Sequence, residues 1–148
     1  VQKAVELGVT RIVPVVTARS IARESARDQK KTARLQKIAN EAAGQSGRGI
    51  LPTVEPPVSF AAAAARMAGE HTVVLYECGG APLRETVKDA PRALSLFVGP
   101  EGGIAPDEAE TLVKNGARTA TLGPRILRCE TAPIAALAAV MALTGNMD

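Results

Sequence analysis

Two glycine-bearing loops are the parts of this sequence whose residue types and spacing best fit ligand chemistry. The first loop, residues 99–103 (GPEGG), directly follows the apolar run of residues 93–98. The second, residues 123–128 (GPRILR), follows the short run of residues 119–122. Glycine allows a ligand to approach the backbone closely, so main-chain N–H and C=O groups here could cup an adenine and a ribose. Each loop alone fits an ordinary turn about as well, but the presence of two favours a functional site.

Several common catalytic motifs do not occur in the sequence, which narrows the possible functions. There is no GxGxxG after an early strand, as a dinucleotide-binding fold would have, and no GxxxxGK[ST], as a P-loop nucleotidase would have. The GxSxG of nucleophile-elbow hydrolases does not occur either. Aromatic residues make up only 2% of the 148 residues. A protein that stacks single-stranded bases on aromatic side chains is therefore disfavoured.

Strand-like and helix-like segments alternate along the chain and predict an α/β fold. We predict strands at residues 11–17, 71–77, 93–98 and 119–122, and helices at residues 1–7, 29–43, 60–67, 106–116 and 132–143. The runs at 71–77 and 93–98 are continuously apolar, which indicates burial on both faces. The expected architecture is a mostly parallel sheet with helices on both faces, where ligands bind at the carboxyl ends of the strands.

Single residues mark several of these boundaries. Ser59 and Thr131 are placed to cap the helices that follow them. Pro106 suits a first helical position, and the acidic residues after it suit the helix dipole. Pro14 indicates that the strand at residues 11–17 is irregular or lies at an edge. We expect His71, at the start of a strand, to be structural or exposed.

Positive charge is concentrated in the first third of the chain, although the net charge is only +3. Residues 1–50 contain ten of the 18 Lys and Arg residues and four of the 15 Asp and Glu residues. Lys30, Arg34 and Lys37 recur at helical spacing on one face of the helix predicted at 29–43. Together with Arg19 and Arg48 they are candidate contacts for RNA phosphates. A solvated basic helix is an equally good interpretation.

Cysteine and histidine are too few and too scattered to build a metal site, so no metal is expected. Cys78 and Cys129 form no CxxC motif, and one histidine cannot complete a site with them. This usage is typical of a reduced, cytoplasmic protein. No signal peptide is visible, and the longest apolar run, residues 132–143, is too short to span a bilayer. Because the chain starts at Val1 inside a predicted helix, we expect preceding residues in a longer protein.

Two longer segments, residues 97–104 (FVGPEGGI) and 122–132 (LGPRILRCETA), carry a resemblance to a known family. Three earlier segments show weaker similarity to the same family, in the order that the family has them. They are residues 2–8 (QKAVELG), 11–15 (RIVPV) with 17–20 (TARS), and 41–48 (EAAGQSGR). These segments resemble the RsmE-type family of 16S rRNA uridine-N3 methyltransferases, which belongs to the SPOUT superfamily. The resemblance covers essentially the whole chain, and the second loop with its Glu-Thr-Ala helix start is highly specific.

The resemblance implies an S-adenosylmethionine-dependent RNA methyltransferase with a trefoil knot at the carboxyl end, a rare exception among folds. It implies that residues 1–148 form one SPOUT domain without the amino-terminal PUA-like barrel that helps family members hold RNA. The expected partner is 16S rRNA or the small ribosomal subunit, with no membrane. The resemblance also implies a homodimer. The nearly all-apolar segment 132–143 fits such an interface, or burial within one subunit.

The resemblance further implies that the cofactor sits in the knot, gripped by three loops. The residues implied to bind it are Leu75, Tyr76, Glu77, Gly99, Pro100, Glu101, Gly102, Gly103, Leu122, Gly123, Ile126, Leu127, Arg128, Thr131 and Ala132. Cys129 stands where Thr is more usual in the family, and we assign it no role.

Methyl transfer from a sulfonium to uracil N3 requires in-line alignment and loss of the N3 proton. Deprotonation moves negative charge onto the uracil carbonyl oxygens, which a fixed arginine could stabilise. Arg128 is the first candidate for this catalytic role and Arg125 the second. Glu130 is a candidate general base or orienting group. Compensation of the dipole of the following helix is the stronger interpretation of Glu130.

Three alternatives stay open. One is a SPOUT enzyme with another RNA target, such as a tRNA ribose, against which the signature loops argue. Another is a non-catalytic RNA-binding module, against which the intact glycine loops and residues 128–131 argue. The third is a small nucleotide-binding regulator, which would prefer adenine nucleotides to S-adenosylmethionine.

Overall fold

Short parallel strands flanked by helices make up the fold. The computed structural model describes residues 1–20, 28–88 and 93–147. Its helices are α1 (Gln2–Glu6), α2 (Asp28–Gln45), α3 (Phe60–Met67), α4 (Leu83–Val87), α5 (Pro106–Lys114) and α6 (Ala132–Leu143). Its strands are β1 (Arg11–Ile12), β2 (Val15–Val16), β3 (Thr53–Val54), β4 (Val58–Ser59), β5 (Thr72–Leu75), β6 (Ala81–Pro82), β7 (Ser95–Val98) and β8 (Arg118–Thr121).

A four-stranded sheet has the order β6-β8-β5-β7, and every neighbouring pair in it is parallel. All four residues of β5 are buried. On one face Val74 packs in a cluster with Phe97 and with Leu112 of α5. On the other face Val73 packs with Val140 of α6. Because side chains alternate along a strand, helices cover both faces, and the predicted α/β architecture is confirmed.

The strand predicted at residues 11–17 is divided in two at Pro14. Strand β1 pairs in parallel with β3, and β2 pairs in parallel with β4. Pro14 still accepts a hydrogen bond through its carbonyl, from the backbone N–H of Val58 at 3.0 Å. Proline has no N–H to donate to a ladder, so the pairing is interrupted at this residue. The irregularity predicted there is confirmed.

The sequence patterns do not predict β6 or α4. Strand β6 has two residues, one of them a proline, and α4 has five. Neither element is long enough to show a strand or helix period. Ala81 and Pro82 are placed by parallel pairing with Ala120 and Thr121 of β8, which are distant in sequence.

One of the two predicted helix caps is confirmed and the other is wrong. The hydroxyl of Ser59 accepts from the N–H of Ala62 at 3.3 Å, and Ser59 has the extended backbone of a capping residue. Thr131 has a helical backbone (φ −90°, ψ −42°), and its side chain makes no capping hydrogen bond. A capping hydroxyl needs an extended backbone to reach the first-turn N–H groups. Pro133, in that first turn, has no N–H to offer.

Helix α6 is the most apolar element, and much of its surface is only half-covered. Its 12 residues include no charged or hydrogen-bonding side chain, yet only Ala136 and Val140 are buried. Among the described residues no helix is long and apolar enough to cross a membrane. The carboxyl-terminal trefoil knot stays a prediction.

The first third of the chain packs around its own apolar cluster. Val5 of α1 meets Ala39, Ala42 and Ala43 of α2, and Val54 of β3 completes the cluster. The helix predicted at residues 29–43 is therefore confirmed, and it continues to Gln45.

Arg48 connects the two helices of this cluster. Its guanidinium donates to the carbonyls of Val5 at 2.9 Å, Gly8 at 3.1 Å and Val9 at 2.5 Å. These carbonyls lie at or just beyond the end of α1, where helical carbonyls lack partners within the helix. Arg48 therefore supports the fold in the place where the sequence predicted an RNA contact.

Replacing Arg48 with alanine is expected to lower the free energy of unfolding by about 1–3 kcal/mol, because it removes charge-assisted hydrogen bonds to half-buried carbonyls. Urea unfolding measures this change. Lys31→Ala, on the exposed surface of α2, is the control and should stay within about 0.5 kcal/mol of the parent chain. Parent-like stability in Arg48→Ala, together with weakened RNA binding, would instead support the predicted phosphate contact.

Candidate functional site

A cavity of about 560 Å³ opens at the carboxyl ends of β5, β7 and β8. It is lined by segments of three loops, residues 75–77, 98–103 and 120–130, together with Ala132. Of the fifteen residues implied to bind a cofactor, all but Thr131 line it. Further lining residues that were not predicted to bind a cofactor are Val98, Ala120, Thr121, Pro124, Arg125, Cys129 and Glu130.

The parallel register of the sheet brings these loops together. Leu75, the last residue of β5, is aligned with Val98 of β7 and with Ala120 of β8. The N–H of Tyr76 extends the pairing by donating to the carbonyl of Ala120 at 3.1 Å. The three chain segments therefore leave the sheet at one level. Val98, Ala120 and Thr121 line the cavity because they are strand ends, which a search for loop motifs overlooks.

The first glycine loop is a tight turn without room for side chains. Gly103 adopts φ +72°, in the region that favours glycine, and its N–H donates to the carbonyl of Pro100 at 2.8 Å. A Cβ added to Gly103 would collide with Oε1 of Glu77, and one added to Gly99 would lie 2.7 Å from the side chain of Ile104. The loop therefore presents backbone, and the loop after β5 lies directly against it.

The second glycine loop is held at the start of α6. The carbonyl of Arg128 accepts from the N–H groups of Thr131 at 2.9 Å and Ala132 at 2.8 Å. Gly123, at the other end of the loop, adopts φ +97°. Between them Ile126 is 85% exposed although it is apolar. An apolar side chain that lines a cavity and is this exposed is available to a ligand.

Carboxylates from two loops meet at the thiol of Cys129. Its Sγ donates to Oε2 of Glu130 at 3.4 Å. Hydrogen bonding to Glu101, with desolvation and Glu130 adding to the effect, raises the pKa of Cys129 to about 11. The backbone N–H of Glu130, and after it the Cys129 thiol, lowers the pKa of the Glu130 carboxyl. Near neutral pH the thiol is therefore protonated and Glu130 is ionised, which makes Glu130 a better orienting group than proton acceptor.

Tyr76 brings a neutral phenol to the site. A hydrogen bond with Cys78, followed by desolvation, raises the pKa of Tyr76 above its usual value of 10.0. Cys78 is exposed and reduced. Tyr76 is predicted as a site residue by the family resemblance, whereas its contact with Cys78 depends on the fold.

The five predicted RNA contacts lie in three different settings. Lys30, Arg34 and Lys37 are exposed on α2, and Nζ of Lys37 lies 3.9 Å from a carboxylate oxygen of Glu41. The guanidinium of Arg19 instead donates to the carbonyl of Gly102 at 2.9 Å, beside the cavity. Arg48 binds backbone carbonyls as described above.

His71 lies at the opposite end of β5 from the cavity, and its Nε2 is 3.0 Å from the carbonyl of Thr86. Its predicted structural role is confirmed. In the part of the chain that the structure describes, no three His, Cys, Asp or Glu side chains are grouped so that they could hold a metal ion.

Comparison with known proteins gives matches along nearly the whole chain. Ribosomal RNA small subunit methyltransferase E of Bacillus subtilis is 39% identical over 149 residues, which cover 95% of this chain and 58% of that protein. The Synechocystis protein of the same name is 36% identical, over 97% of this chain and 48% of its own length. The chain therefore spans about half to three-fifths of the length of these curated relatives.

Solved structures have the same fold. A ribosomal RNA small subunit methyltransferase E from Neisseria gonorrhoeae, bound to S-adenosylmethionine, matches with a TM-score of 0.85 and 39% identity over 96% of this chain and 59% of that one. A Legionella pneumophila protein described as a methyltransferase, in complex with the same cofactor, matches with a TM-score of 0.87 and 34% identity over 95% and 58%. The family model for the RNA methyltransferase domain matches residues 1–141, so the chain belongs to the RNA methyltransferase domain family.

Proposed function

We propose that this chain binds S-adenosylmethionine and catalyses methyl transfer to N3 of a uridine in 16S rRNA of the small ribosomal subunit. The observation that carries the proposal is the convergence of three loops on one cavity at the carboxyl ends of three parallel strands. The names of the relatives and the cofactor held by the Neisseria and Legionella structures support it.

The residues of the cavity fit this cofactor in size and in chemistry. A volume of about 560 Å³ lies within the range of small-molecule sites. Leu75, Leu122 and Leu127 supply apolar surface suited to an adenine ring. Glu77 and Glu101 supply negative charge suited to the positively charged ammonium and sulfonium groups of the cofactor. The glycines of the first loop add no side chains, so main-chain groups of that loop are accessible to the cofactor.

When bound, S-adenosylmethionine supplies an electrophilic methyl group on a positively charged sulfonium. The chain's own residues must hold the uracil in line with that methyl group and stabilise the charge that builds on the uracil carbonyl oxygens as the N3 proton leaves to solvent water. Alignment alone can lower a barrier by several kcal/mol. The target base must leave its stack to reach the cavity.

Arg128 and Arg125 are the cations available for this task. Both line the cavity and both are exposed. We assign Arg128 to the developing negative charge on a uracil carbonyl oxygen, because the hydrogen bonds at its carbonyl tie its backbone to α6. We assign Glu130, which is ionised beside it, to orienting Arg128 or the uracil N3–H, in keeping with its lowered pKa.

Gly102 of the first glycine loop lines the cavity, so a side chain there should interfere with cofactor binding. Gly102→Leu should weaken S-adenosylmethionine binding at least about tenfold in calorimetric titration, because a side chain there would crowd Arg19 and protrude from a loop that grips the cofactor. Gly44→Leu is the matched control, since Gly44 lies exposed near the end of α2 with nothing within 4 Å of an added Cβ. Unchanged binding in Gly102→Leu, or no binding by the folded parent chain, would favour the non-catalytic RNA-binding alternative.

Arg128→Ala should separate chemistry from binding. We expect turnover on 16S rRNA to fall by about a hundredfold or more, with cofactor affinity within about threefold of the parent, because the guanidinium acts on charge that develops only during reaction. Single-turnover methylation with mapping of the modified nucleotide measures this. Arg125→Ala should have the smaller effect. Parent-like turnover in Arg128→Ala would remove the assignment, and methylation of a ribose would identify a different target.

We propose that the exposed cations Lys30, Arg34 and Lys37 of α2 contact RNA phosphates. Arg19 and Arg48 donate hydrogen bonds to backbone carbonyls, and an RNA contact from either stays a prediction. We propose further that α6 forms a homodimer interface, since an apolar helix with two buried residues needs more cover. We propose that residues 1–148 form a SPOUT methyltransferase domain, and the two free thiols fit a cytoplasmic location.

The double variant Lys30→Glu/Arg34→Glu should weaken RNA binding and flatten its dependence on salt. Each cation that no longer neutralises a phosphate should reduce the log–log slope by about one unit, because fewer counterions are released on binding. Filter binding at several salt concentrations measures the slope. Lys88→Glu, an exposed lysine just after α4, controls for net charge. If the slope does not change, Lys30 and Arg34 lie on a solvated face of α2 and do not contact RNA phosphates.

A further inference from the structure

Residues 17–20 form a turn that is stabilised by its own side chains. Oγ of Ser20 accepts from the N–H of Thr17 at 3.0 Å and lies 2.9 Å from the Thr17 hydroxyl. The N–H of Ser20 donates to the carbonyl of Thr17 at 3.1 Å. Because Thr17 is also buried, this turn is a stiff unit. It lies outside the three loops that form the cavity.

Glu108 ties this turn to α5 with a buried carboxylate. Only 6% of the residue is exposed. Its Oε1 accepts from the N–H of Ala18 at 2.8 Å, and its Oε2 accepts from the N–H of Ala105 at 3.3 Å. Two N–H donors and the amino end of α5 together stabilise the negative charge. Helix α5 begins three residues after Gly103, so this carboxylate anchors the turn beside the first glycine loop.

Arg19 connects the turn at residues 17–20 to the glycine loop of residues 99–103. Its Nη1 donates to the carbonyl of Gly102 at 2.9 Å. A Cβ added to Gly102 would lie 3.2 Å from Cβ of Arg19, so the two backbones are in close approach as well. The turn therefore grips the glycine loop through Arg19, while Glu108 prevents the turn from moving away.

We infer that Arg19 and Glu108 are positioning residues that clamp the glycine loop of residues 99–103 in its ligand-binding shape. The two contacts run through one stiff turn, so loss of either frees the loop to a similar extent. A loop held in its bound shape before the ligand arrives loses less conformational freedom on binding. Only the cofactor-affinity part of the inference rests on the proposed function.

The clamp is tested first without any ligand, by amide hydrogen exchange. Arg19→Ala should speed exchange of the Gly103 N–H, which bonds to the carbonyl of Pro100, by about tenfold. Glu108→Gln should do the same, because an amide turns an N–H donor toward one of two backbone donors. Exposed residues provide matched controls, Arg84→Ala and Glu110→Gln. Because Arg19 is exposed, its variant tests the clamp even if Glu108→Gln does not fold.

The second measurement is cofactor affinity by calorimetry. Each single variant should weaken S-adenosylmethionine binding by about threefold to tenfold, with the thermal midpoint of Arg19→Ala within about 2 °C of the parent. The double variant should bind S-adenosylmethionine with about the same affinity as whichever single variant binds it less tightly, because both residues act through one turn. If the affinity loss of the double variant equals the product of the losses of the two single variants, the clamp inference is wrong. If the folded parent chain binds no cofactor, the proposed function fails while the exchange result still decides the clamp.

The salt dependence of RNA binding separates the clamp from a direct phosphate contact. Under the clamp, Arg19→Ala leaves the log–log salt slope unchanged and alters exchange at Gly103. A slope reduced by about one, with parent-like exchange at Gly103, would assign Arg19 to a phosphate and refute the inference.

Discussion

Parallel pairing of β5 with β7 on one side and β8 on the other is the constraint on which the rest of the structure depends. Leu75 is aligned with Val98 and with Ala120, so three chain segments leave the sheet at one edge. Strand β5 is buried on both faces, which requires α3 and α5 to cover one side and α4 and α6 the other. Since the loops are extensions of this sheet, strand pairing brings them to one edge, where Glu77 lies against Gly103 and Glu101 lies near Cys129.

The cavity lining combines main-chain groups of glycine loops with charged side chains. Gly103 and Gly123 adopt conformations that other residues rarely reach, so the loops can turn tightly and expose main-chain groups. Hydrogen bonding to Glu101, with a smaller contribution from Glu130, keeps the thiol of Cys129 protonated near neutral pH. A sulfur nucleophile is therefore not available at this position near neutral pH. The charged groups that remain are suited to electrostatic stabilisation and alignment, the tasks that methyl transfer from a sulfonium requires.

The buried carboxylate of Glu108 joins the first third of the chain to this cavity. Its two hydrogen bonds reach the N–H of Ala18 before α2 and that of Ala105 before α5. The turn at residues 17–20 and the glycine loop are thus held together by Arg19 and Glu108.

The sequence by itself determined the α/β class, the strands at β5, β7 and β8, and the two glycine loops, which supply about half of the residues that line the cavity. Continuous apolar runs indicate strands buried on both faces, and glycine after such a strand marks a loop at its carboxyl end. The family resemblance added the third loop, at Leu75, Tyr76 and Glu77. These features are local, because they depend on the period of apolar residues and on the conformations open to glycine.

Tertiary structure alone decided the features that depend on distant partners. Strand β6 and helix α4 are too short for a periodic pattern; β6 is placed by pairing with β8, and α4 by packing of Leu83 and Val87 in the core. Thr131 has the right residue type for a cap, but its backbone is helical. Arg19 and Arg48 look like phosphate contacts in sequence, yet their guanidiniums bind carbonyls that the fold brings near. Charge and spacing along a chain show that an arginine can bind an anion or a carbonyl, whereas only the folded chain determines which acceptor lies within reach.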